Sequence, residues 1–307
     1  MPKISLTDRI LDQPQPGDRS FQKRKPAWIR AQLPSGDDYI KLRDLMHRNN
    51  LNTVCEEAKC PNIGECWSHG VATIMILGEV CTRSCGFCHV KTGRPPILDT
   101  DEPHRVADAV RIMALKHVVI TSVNRDELPD SGAAIWADTI REVRAASPDT
   151  RIEVLIPDMC GKWEHLQTII DAQPDILGHN METVRRMYRV VRPQAKYDRS
   201  IELLDRSKQA GLITKTGIMV GIGERDDEVD ELMDDVLTGS QCDIMTIGQY
   251  MQPTRNHLPV HRWVTPDQFA SFKQTGLDKG FRSIESGPMV RSSYHADRAA
   301  LEVESMH

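Results

Sequence analysis

Thr73-Ile74-Met75-Ile76-Leu77, with Cys81-Thr82-Arg83-Ser84-Cys85-Gly86-Phe87-Cys88 close behind it, decides the fold. The first stretch is a continuous apolar run bounded by turn residues, the pattern of a strand buried in a parallel sheet. Similar runs recur at Val118-Val119-Ile120, Ile152-Glu153-Val154-Leu155-Ile156, Ile176-Leu177, Gly217-Ile218-Met219-Val220 and Ile244-Met245-Thr246-Ile247. Helical spacing lies between them: Val106, Ala109, Val110 and Met113; Ile135, Thr139, Ile140 and Val143; Val229, Leu232, Met233 and Val236. Gly211 and Gly239 stand where helix C-caps belong. Alternating strands and helices imply a parallel sheet with right-handed crossovers. Six such units predict an α/β fold, a partial (β/α)6 TIM-like barrel. Periodicity leaves a doubly wound sheet open as the alternative. In either architecture the chemistry collects at the C-terminal ends of the strands. The residues just past the runs are polar there: Ser122, Asn124, Asp158, His179, Asn180, Glu182, Glu224 and Gln249.

Working outward, the barrel is expected over residues 72–262. Residues 1–71 form an N-terminal extension, polar and proline-punctuated over its first fifty residues. Its basic run Gln22-Lys23-Arg24-Lys25 reads as a solvated arm. Tyr39 to Arg48 reads as a short helix, with Ile40, Leu42, Leu45 and Met46 on its apolar face. Residues 263–307 form a C-terminal helix and tail. Thr265-Pro266-Asp267-Gln268 supplies an N-cap threonine, a first-turn proline and a capping-box glutamine for a helix carrying Phe269 and Phe272.

The bulk numbers exclude several classes. The chain has 307 residues, 39% hydrophobic and 27% charged, an ordinary globular balance. A net charge of −5 and 5% aromatic residues argue against a nucleic-acid surface. No apolar run is long enough to span a bilayer. The start Met-Pro-Lys-Ile-Ser carries no signal-peptide pattern, so a reducing cytoplasm is expected.

Six of the eight cysteines form two triplets, Cys55-x4-Cys60-x5-Cys66 and Cys81-x3-Cys85-x2-Cys88. A disulfide framework suits short secreted chains, not this one. Structural zinc takes four ligands in paired spacings, and neither triplet brings a fourth. Cys85-Gly86-Phe87-Cys88-His89 matches a haem-attachment pattern, but Cys81 would then be surplus. Iron–sulfur ligation fits better. Three thiolates hold three corners of a 4Fe-4S cluster and leave one iron open for chemistry. Cys160 and Cys242 fall outside the triplets and read as plain thiols.

Cys81-x3-Cys85-x2-Cys88, with aromatic Phe87 and its place after the first strand, resembles the signature of radical S-adenosylmethionine enzymes. The first triplet narrows the resemblance to lipoyl synthase. Cys55-Glu56-Glu57-Ala58, Cys60-Pro61-Asn62, Val119-Ile120-Thr121-Ser122-Val123, His179-Asn180, Gly248-Gln249-Tyr250 and Arg291-Ser292-Ser293-Tyr294 are similar to that family as they stand. The similarity spans roughly residues 25–296. One departure is Asp130-Ser131-Gly132, where the family pattern leads us to expect a glycine pair.

The resemblance implies insertion of two sulfur atoms, at C6 and C8 of a protein-bound octanoyl group. The implied cofactors are two 4Fe-4S clusters and S-adenosylmethionine. Cys81, Cys85 and Cys88 would hold the radical-generating cluster. Cys55, Cys60 and Cys66 would hold an auxiliary cluster that is consumed as the sulfur source, with Ser293 favoured over Ser292 as its fourth ligand; a helix-cap serine is the other reading of the pair. No catalytic side chain beyond the cluster ligands is expected. Asn180 and Arg192 would contact the ribose and the methionine carboxylate of S-adenosylmethionine; a surface salt bridge is the equal alternative for Arg192. Gly221 would let the backbone approach adenine, or is a bare glycine bend. Implied partners are octanoylated carriers (the glycine-cleavage H protein and lipoyl domains of 2-oxoacid dehydrogenases), an electron donor such as flavodoxin or ferredoxin, and iron–sulfur carrier proteins. Arg185, Arg186 and Lys196 are candidates for steering an acidic carrier. The competing functions are another sulfur-inserting enzyme of the same superfamily, such as a methylthiotransferase, and a non-enzymatic cluster carrier.

Overall fold

The computed structural model describes residues 24–29, 44, 46, 51–53, 62, 63, 71–294 and 296–304. Cys55, Cys60 and Cys66 lie outside them, as does most of the helix expected over Tyr39–Arg48, of which Asp44 and Met46 are helical.

One eight-stranded sheet organises the chain. Strand β1 (Asn52–Thr53) pairs antiparallel with β2 (Val71–Ile76). From β2 the sheet runs in chain order through β5 (His117–Ser122), β6 (Arg151–Leu155), β7 (Ile176–Gly178), β8 (Ile213–Val220), β9 (Ile244–Gln249) and β10 (Ser283–Gly287), every pair parallel. A doubly wound sheet reverses its strand order midway. This one never does, so each right-handed crossover falls on the same face. The helices accordingly form an outer row. They are α1 (Glu102–Met113), α2 (Ala133–Ala146), α3 (Trp163–Ile170), α4 (Tyr188–Val191), α5 (Tyr197–Gln209), α6 (Asp226–Ser240) and α7 (Pro266–Lys279). Neighbours touch: α1 with α2, α2 with α3, α5 with α6 and α6 with α7. A short helix, α8 (Ala296–Glu304), ends the described chain.

The sheet curls. Glu153 of β6 takes Lys215 Nζ of β8 at 2.7 Å and faces His117 Nε2 of β5 at 3.2 Å, so three strands converge on one buried carboxylate inside the concave face. At the sheet's N-terminal edge α8 touches both β10 and β5. Ala299 and Val303 of α8 pack on Ile244 of β9, with Ile213 of β8 against them.

The partial barrel is as the sequence predicts, with one strand more. β10 adds a seventh parallel unit beyond the expected six. Ser283-Ile284-Glu285-Ser286-Gly287 escapes an apolar-run search because it pairs through one edge only and alternates its polarity. Thr265 caps α7 as expected, its Oγ1 accepting from Gln268 N at 3.3 Å. Gly211, at φ 87, follows α5 as a left-handed terminator. Gly239 does not terminate α6. It lies inside that helix, and the left-handed residue is Gln241 at φ 49. A Cβ on Gly239 would strike Ile201 Cγ2 of α5 at 2.5 Å, so close helix approach explains the glycine. At the departure from the family pattern, Ser131 itself adopts φ 55 ahead of Gly132 at φ 83. The turn keeps the left-handed pair even though a serine occupies its first position.

Two short strands bracket the second cysteine triplet: β3 (Val80–Cys81) pairs in parallel with β4 (Lys91–Thr92). No helix among the described residues is long and apolar enough to cross a membrane.

The seventh strand gives a packing test. Gly276 of α7 faces Ile284 of β10 so closely that an added Cβ would overlap Ile284 Cδ1. In an open helix Gly→Ala stabilises by about 1 kcal/mol. Here overpacking reverses the sign, and Gly276→Ala should destabilise by about 1–3 kcal/mol in urea unfolding. A raised midpoint would show that β10 does not pack there.

Candidate active site

The loop after β3 carries Cys85 and Cys88, and Cys81 closes β3 itself. Neighbouring strand ends hold it on several sides. Asn124, just past β5, directs its backbone N–H at Cys81 Sγ from 3.3 Å and its Nδ2 from 3.6 Å. Thr82 N and Oγ1 both donate to Asn124 O, at 3.1 and 3.0 Å. Gly86 N donates to Val191 O at 2.9 Å, and Leu258 N donates to Gly86 O at 3.0 Å. His257 Nε2 lies 2.9 Å from Cys88 O. A Cβ on Gly86 would press on Leu258, so this turn needs a glycine to lie under that chain.

The three thiols are partly buried. Burial pushes Cys85 up to about 12, and the charges of Cys88 and Cys81 push it the same way. Burial likewise pushes Cys88 up to about 11, with Cys81 adding to it. Thiolates at Cys85 and Cys88 therefore call for added positive charge, which is what a metal centre brings. Among the described residues no three His, Cys, Asp or Glu side chains gather closely enough for a single ion. Ligands of one zinc sit about 2.3 Å from it, whereas a cubane holds each cysteine at a different corner. Three buried polar atoms around the loop, Ser122 Oγ and Asn124 Oδ1 at the end of β5 and Arg192 Nε after α4, have no hydrogen-bond partner among the described residues. Unsatisfied buried groups of this kind fit a site that binds a polar ligand.

Arg192 is not a surface residue. Only 8% exposed, it donates from NH1 to Asn180 O at 2.6 Å and to Tyr188 OH at 3.1 Å. Tyr188 OH donates to Ser200 Oγ at 3.0 Å, and Ser200 Oγ lies 2.9 Å from His179 Nε2. His179 Nδ1 faces Ile156 O at 2.8 Å. The carbonyl requires Nδ1–H, which leaves Nε2 as the acceptor from Ser200. Ser200 Oγ also lies 3.2 Å from Lys196 O, and a neutral imidazole is what draws its proton to Nε2 instead. Burial, helped by Arg192, pushes His179 down to about 4, so it is neutral near pH 7. The surface salt-bridge reading belongs instead to the neighbouring arginines. Arg185 pairs with Asp198 at 2.7 Å and Arg186 with Glu228 at 2.6 Å. Both are engaged within the chain, which leaves exposed Lys196 from the trio expected to steer a carrier.

Asn180 donates Nδ2–H to Glu182 Oε1 at 3.0 Å, and Gly217 across from it leaves room for Asn180 Oδ1. Gly221, at φ 91, ends β8 against the Gln249 amide and the Arg262 carbonyl, which already fill the space of a Cβ. The glycine is therefore required by the chain's own packing. Glu224 closes that turn, its carboxylate accepting from Gly221 N at 2.7 Å, Ile222 N at 3.0 Å and Gly223 N at 3.2 Å. Ser293 lies half-buried in the turn Arg291–Tyr294, where Tyr294 N donates to Arg291 O at 2.9 Å. That turn follows Val290, whose carbonyl sits where a Cβ on Gly248 of β9 would stand. Asn62, between Cys60 and Cys66 in sequence, donates Nδ2–H to Met289 O at 2.6 Å. Asn62 is thereby tied just ahead of the terminal motif. His257 and Arg83 acquire their places only from tertiary contacts. Arg83's one sequence signal is its position between two cysteines.

Comparison with known proteins agrees with this geometry. Residues 75–236 match the Radical SAM superfamily, and residues 9–60 match the N-terminal domain of lipoyl synthase of the Radical SAM family. The lipoyl synthase of Rubrobacter xylanophilus is 56% identical over 89% of this chain and 85% of its own length. That of Bacillus subtilis is 54% identical over 91% and 94%. The mitochondrial lipoyl synthase of Nematostella vectensis is 51% identical over 89% and 94%. In solved structures the fold is similar to Streptococcus suis SuiB bound to S-adenosylmethionine (TM-score 0.56, 11% identity, 81% of this chain and 60% of that one). It is also similar to the FeFe-hydrogenase maturase HydG from Carboxydothermus hydrogenoformans (TM-score 0.57, 13% identity, 87% and 68%). The N-terminal match decides against a methylthiotransferase or a cluster carrier, and the chain belongs to the lipoyl synthase family of the radical S-adenosylmethionine superfamily.

Proposed function

We propose that this chain converts an octanoyl group on a carrier protein to the lipoyl group, inserting one sulfur at C6 and one at C8. The observation that carries the reading is the partly buried thiol triplet at the barrel's first strand end, in a chain whose N-terminal segment matches lipoyl synthases. When bound, the two 4Fe-4S clusters and S-adenosylmethionine supply a radical able to take hydrogen from an unactivated carbon, and the sulfur that replaces it. The protein's work is binding, orientation and exclusion of water. Cys81, Cys85 and Cys88 would hold the radical-generating cluster, with S-adenosylmethionine bound beside it. Arg192, held rigid by its relay, suits the carboxylate of S-adenosylmethionine. Asn180 lies beside it for the ribose, and the Gly221 turn is assigned to the adenine. Cys55, Cys60 and Cys66 hold the auxiliary cluster, and Ser293 closes it. The Asn62–Met289 contact supports that pairing of distant segments. Oxygen is a harder ligand than thiolate and less suited to iron–sulfur, which fits a cluster meant to be dismantled. The carrier is the glycine-cleavage H protein or a lipoyl domain. A flavodoxin or ferredoxin supplies electrons, and iron–sulfur carriers rebuild the cluster, in the cytoplasm.

Mass spectrometry of an octanoylated carrier after anaerobic turnover should show the gain of two sulfurs; an unchanged octanoyl group rejects the function. Replacing Cys55, Cys60 and Cys66 by alanine together should halve the bound iron and keep some S-adenosylmethionine cleavage. Replacing Cys81, Cys85 and Cys88 should abolish cleavage. Equal loss in both would end this division of labour.

Ser293→Ala should still bind cluster and cleave S-adenosylmethionine but yield little lipoyl product. Ser293→Cys should hold its cluster more firmly and also fail to donate sulfur. Full product from both, with Ser292 intact, removes Ser293 from the ligand set.

The relay under Arg192 sets a pH limit. His179 is depressed from 6.5 to about 4, so the unfolded chain takes up a proton first as pH falls. The stabilisation is complete above about pH 6.5 and is lost on descending toward pH 4. Thermal midpoints measured from pH 7 to 4 should fall, and His179→Gln should flatten that fall. An unchanged slope would mean that His179 is not the titrating group.

A further inference from the structure

One buried cation has no part in the roles assigned above. Arg83 stands between Cys81 and Cys85, yet it is only 4% exposed. Its Nε and NH2 donate to the two oxygens of Asp126 at 2.7 and 2.9 Å, and NH2 also donates to Asp158 Oδ1 at 2.6 Å. Asp126 follows β5 and Asp158 follows β6. One guanidinium therefore joins the cysteine loop to two successive strand ends. Its own backbone N–H lies 3.4 Å from Cys81 Sγ, and its carbonyl accepts from Thr92 Oγ1 at 3.2 Å. Asp126 N donates to Thr82 Oγ1 at 3.2 Å, which stitches the same two segments again.

The carboxylates are themselves fixed. Asp158 is fully buried and takes Arg199 NH1 at 3.1 Å and Cys160 N at 3.1 Å. Met159 and Cys160 hold φ 47 and 56, left-handed values unfavourable for residues with a Cβ, and so wrap the turn around that carboxylate. Cys160 Sγ lies 3.2 Å from Asp126 Oδ1. Burial opposes the Asp158 charge, but Arg83 outweighs it and holds the carboxyl down at about 2. Buried ion pairs add little stability over apolar packing of the same volume. What a planar fork adds is orientation.

We propose that Arg83 is a positioning residue for the radical-generating cluster: its fork onto Asp126 and Asp158 fixes the Cys81–Cys85 half of the ligand loop against the ends of β5 and β6. This rests on the reading of the triplet as cluster ligands. Arg83→Lys keeps the charge but cannot fork. The test uses full-length, anaerobically reconstituted protein in a background lacking Cys55, Cys60 and Cys66, so that one cluster remains. Bound iron and the electron paramagnetic resonance of the reduced cluster are measured with and without S-adenosylmethionine. Arg83→Lys should lose more than half of the iron or of the ligand-induced spectral change. Asp126→Asn, which weakens one arm and leaves Asp158 in place, carries the same expectation if Arg83→Lys does not fold. Arg199→Met removes the other cation from Asp158 without touching the loop, and should keep both signals. Full iron and a full spectral change in Arg83→Lys overturn the proposal. So does equal loss in Arg199→Met, because charge balance would then suffice. Absence of the spectral change in the parent protein sinks the ligand assignment itself, and the proposal with it.

Discussion

Winding in one direction is the constraint on which the rest depends. From β2 to β10 each parallel strand is added on the same side of the last, so every C-terminal strand end reaches one rim. The cysteine loop, Asn124, Asp158, Asn180, Gly221 and Val290 arrive there from six separate strands. None of these residues is brought near the others by sequence. The rim is also where strands stop supplying hydrogen-bond partners, so side chains must take over. The Glu224 carboxylate serves three backbone N–H groups of its own turn, and the Gln249 amide donates to Val220 O and Arg262 O at 3.1 Å each.

Charge is the second constraint, and it follows from the first. Burial at a strand end raises Cys85 and Cys88 far above neutrality, and the neighbouring thiols add to it. The two nearby arginines do not relieve this equally. Arg83 is neutralised by Asp126 and Asp158, whereas Arg192 is bound by neutral oxygens and acts on Cys85 as a net positive charge. Its guanidinium stays charged throughout, and together with burial that charge keeps His179 beneath it neutral. The positive charge that the loop still requires is the kind a metal cluster carries.

These two constraints explain what was legible in the sequence. Strands buried on both faces announce themselves as apolar runs, so β2 and β5 through β9 were readable. β10 was not, because an end strand with Ser283, Glu285 and Ser286 carries no such run. The cysteine spacing was readable because ligation by one loop is a local property. Burial of Arg192 was not: it sits in a run of arginines whose other members are exposed, and tertiary packing alone separates it from them. Gly239 misled in a similar way: it looks like a cap, and Ile201 occupies the space of its missing Cβ. Gly221 is bounded likewise by the Gln249 amide and the Arg262 carbonyl, so the bend that the sequence offers there is set by packing.

The strand missed by the apolar-run search also bears on the auxiliary site. β10 carries the chain from the foot of the barrel back to the rim, and only past its end does Arg291-Ser292-Ser293-Tyr294 begin. At the other side of the sheet β1 pairs with β2, leading into the segment of the first cysteine triplet. The Asn62–Met289 hydrogen bond then joins these two ends across 227 positions of sequence. A sulfur source completed by Ser293 would therefore be anchored to both ends of the sheet, while the radical source is anchored to its first strand. The reaction needs the two centres at a fixed separation, because a carbon radical must meet sulfur before it meets anything else. On that assignment, a curled sheet with the two anchoring segments at its ends would hold the centres apart through backbone hydrogen bonds.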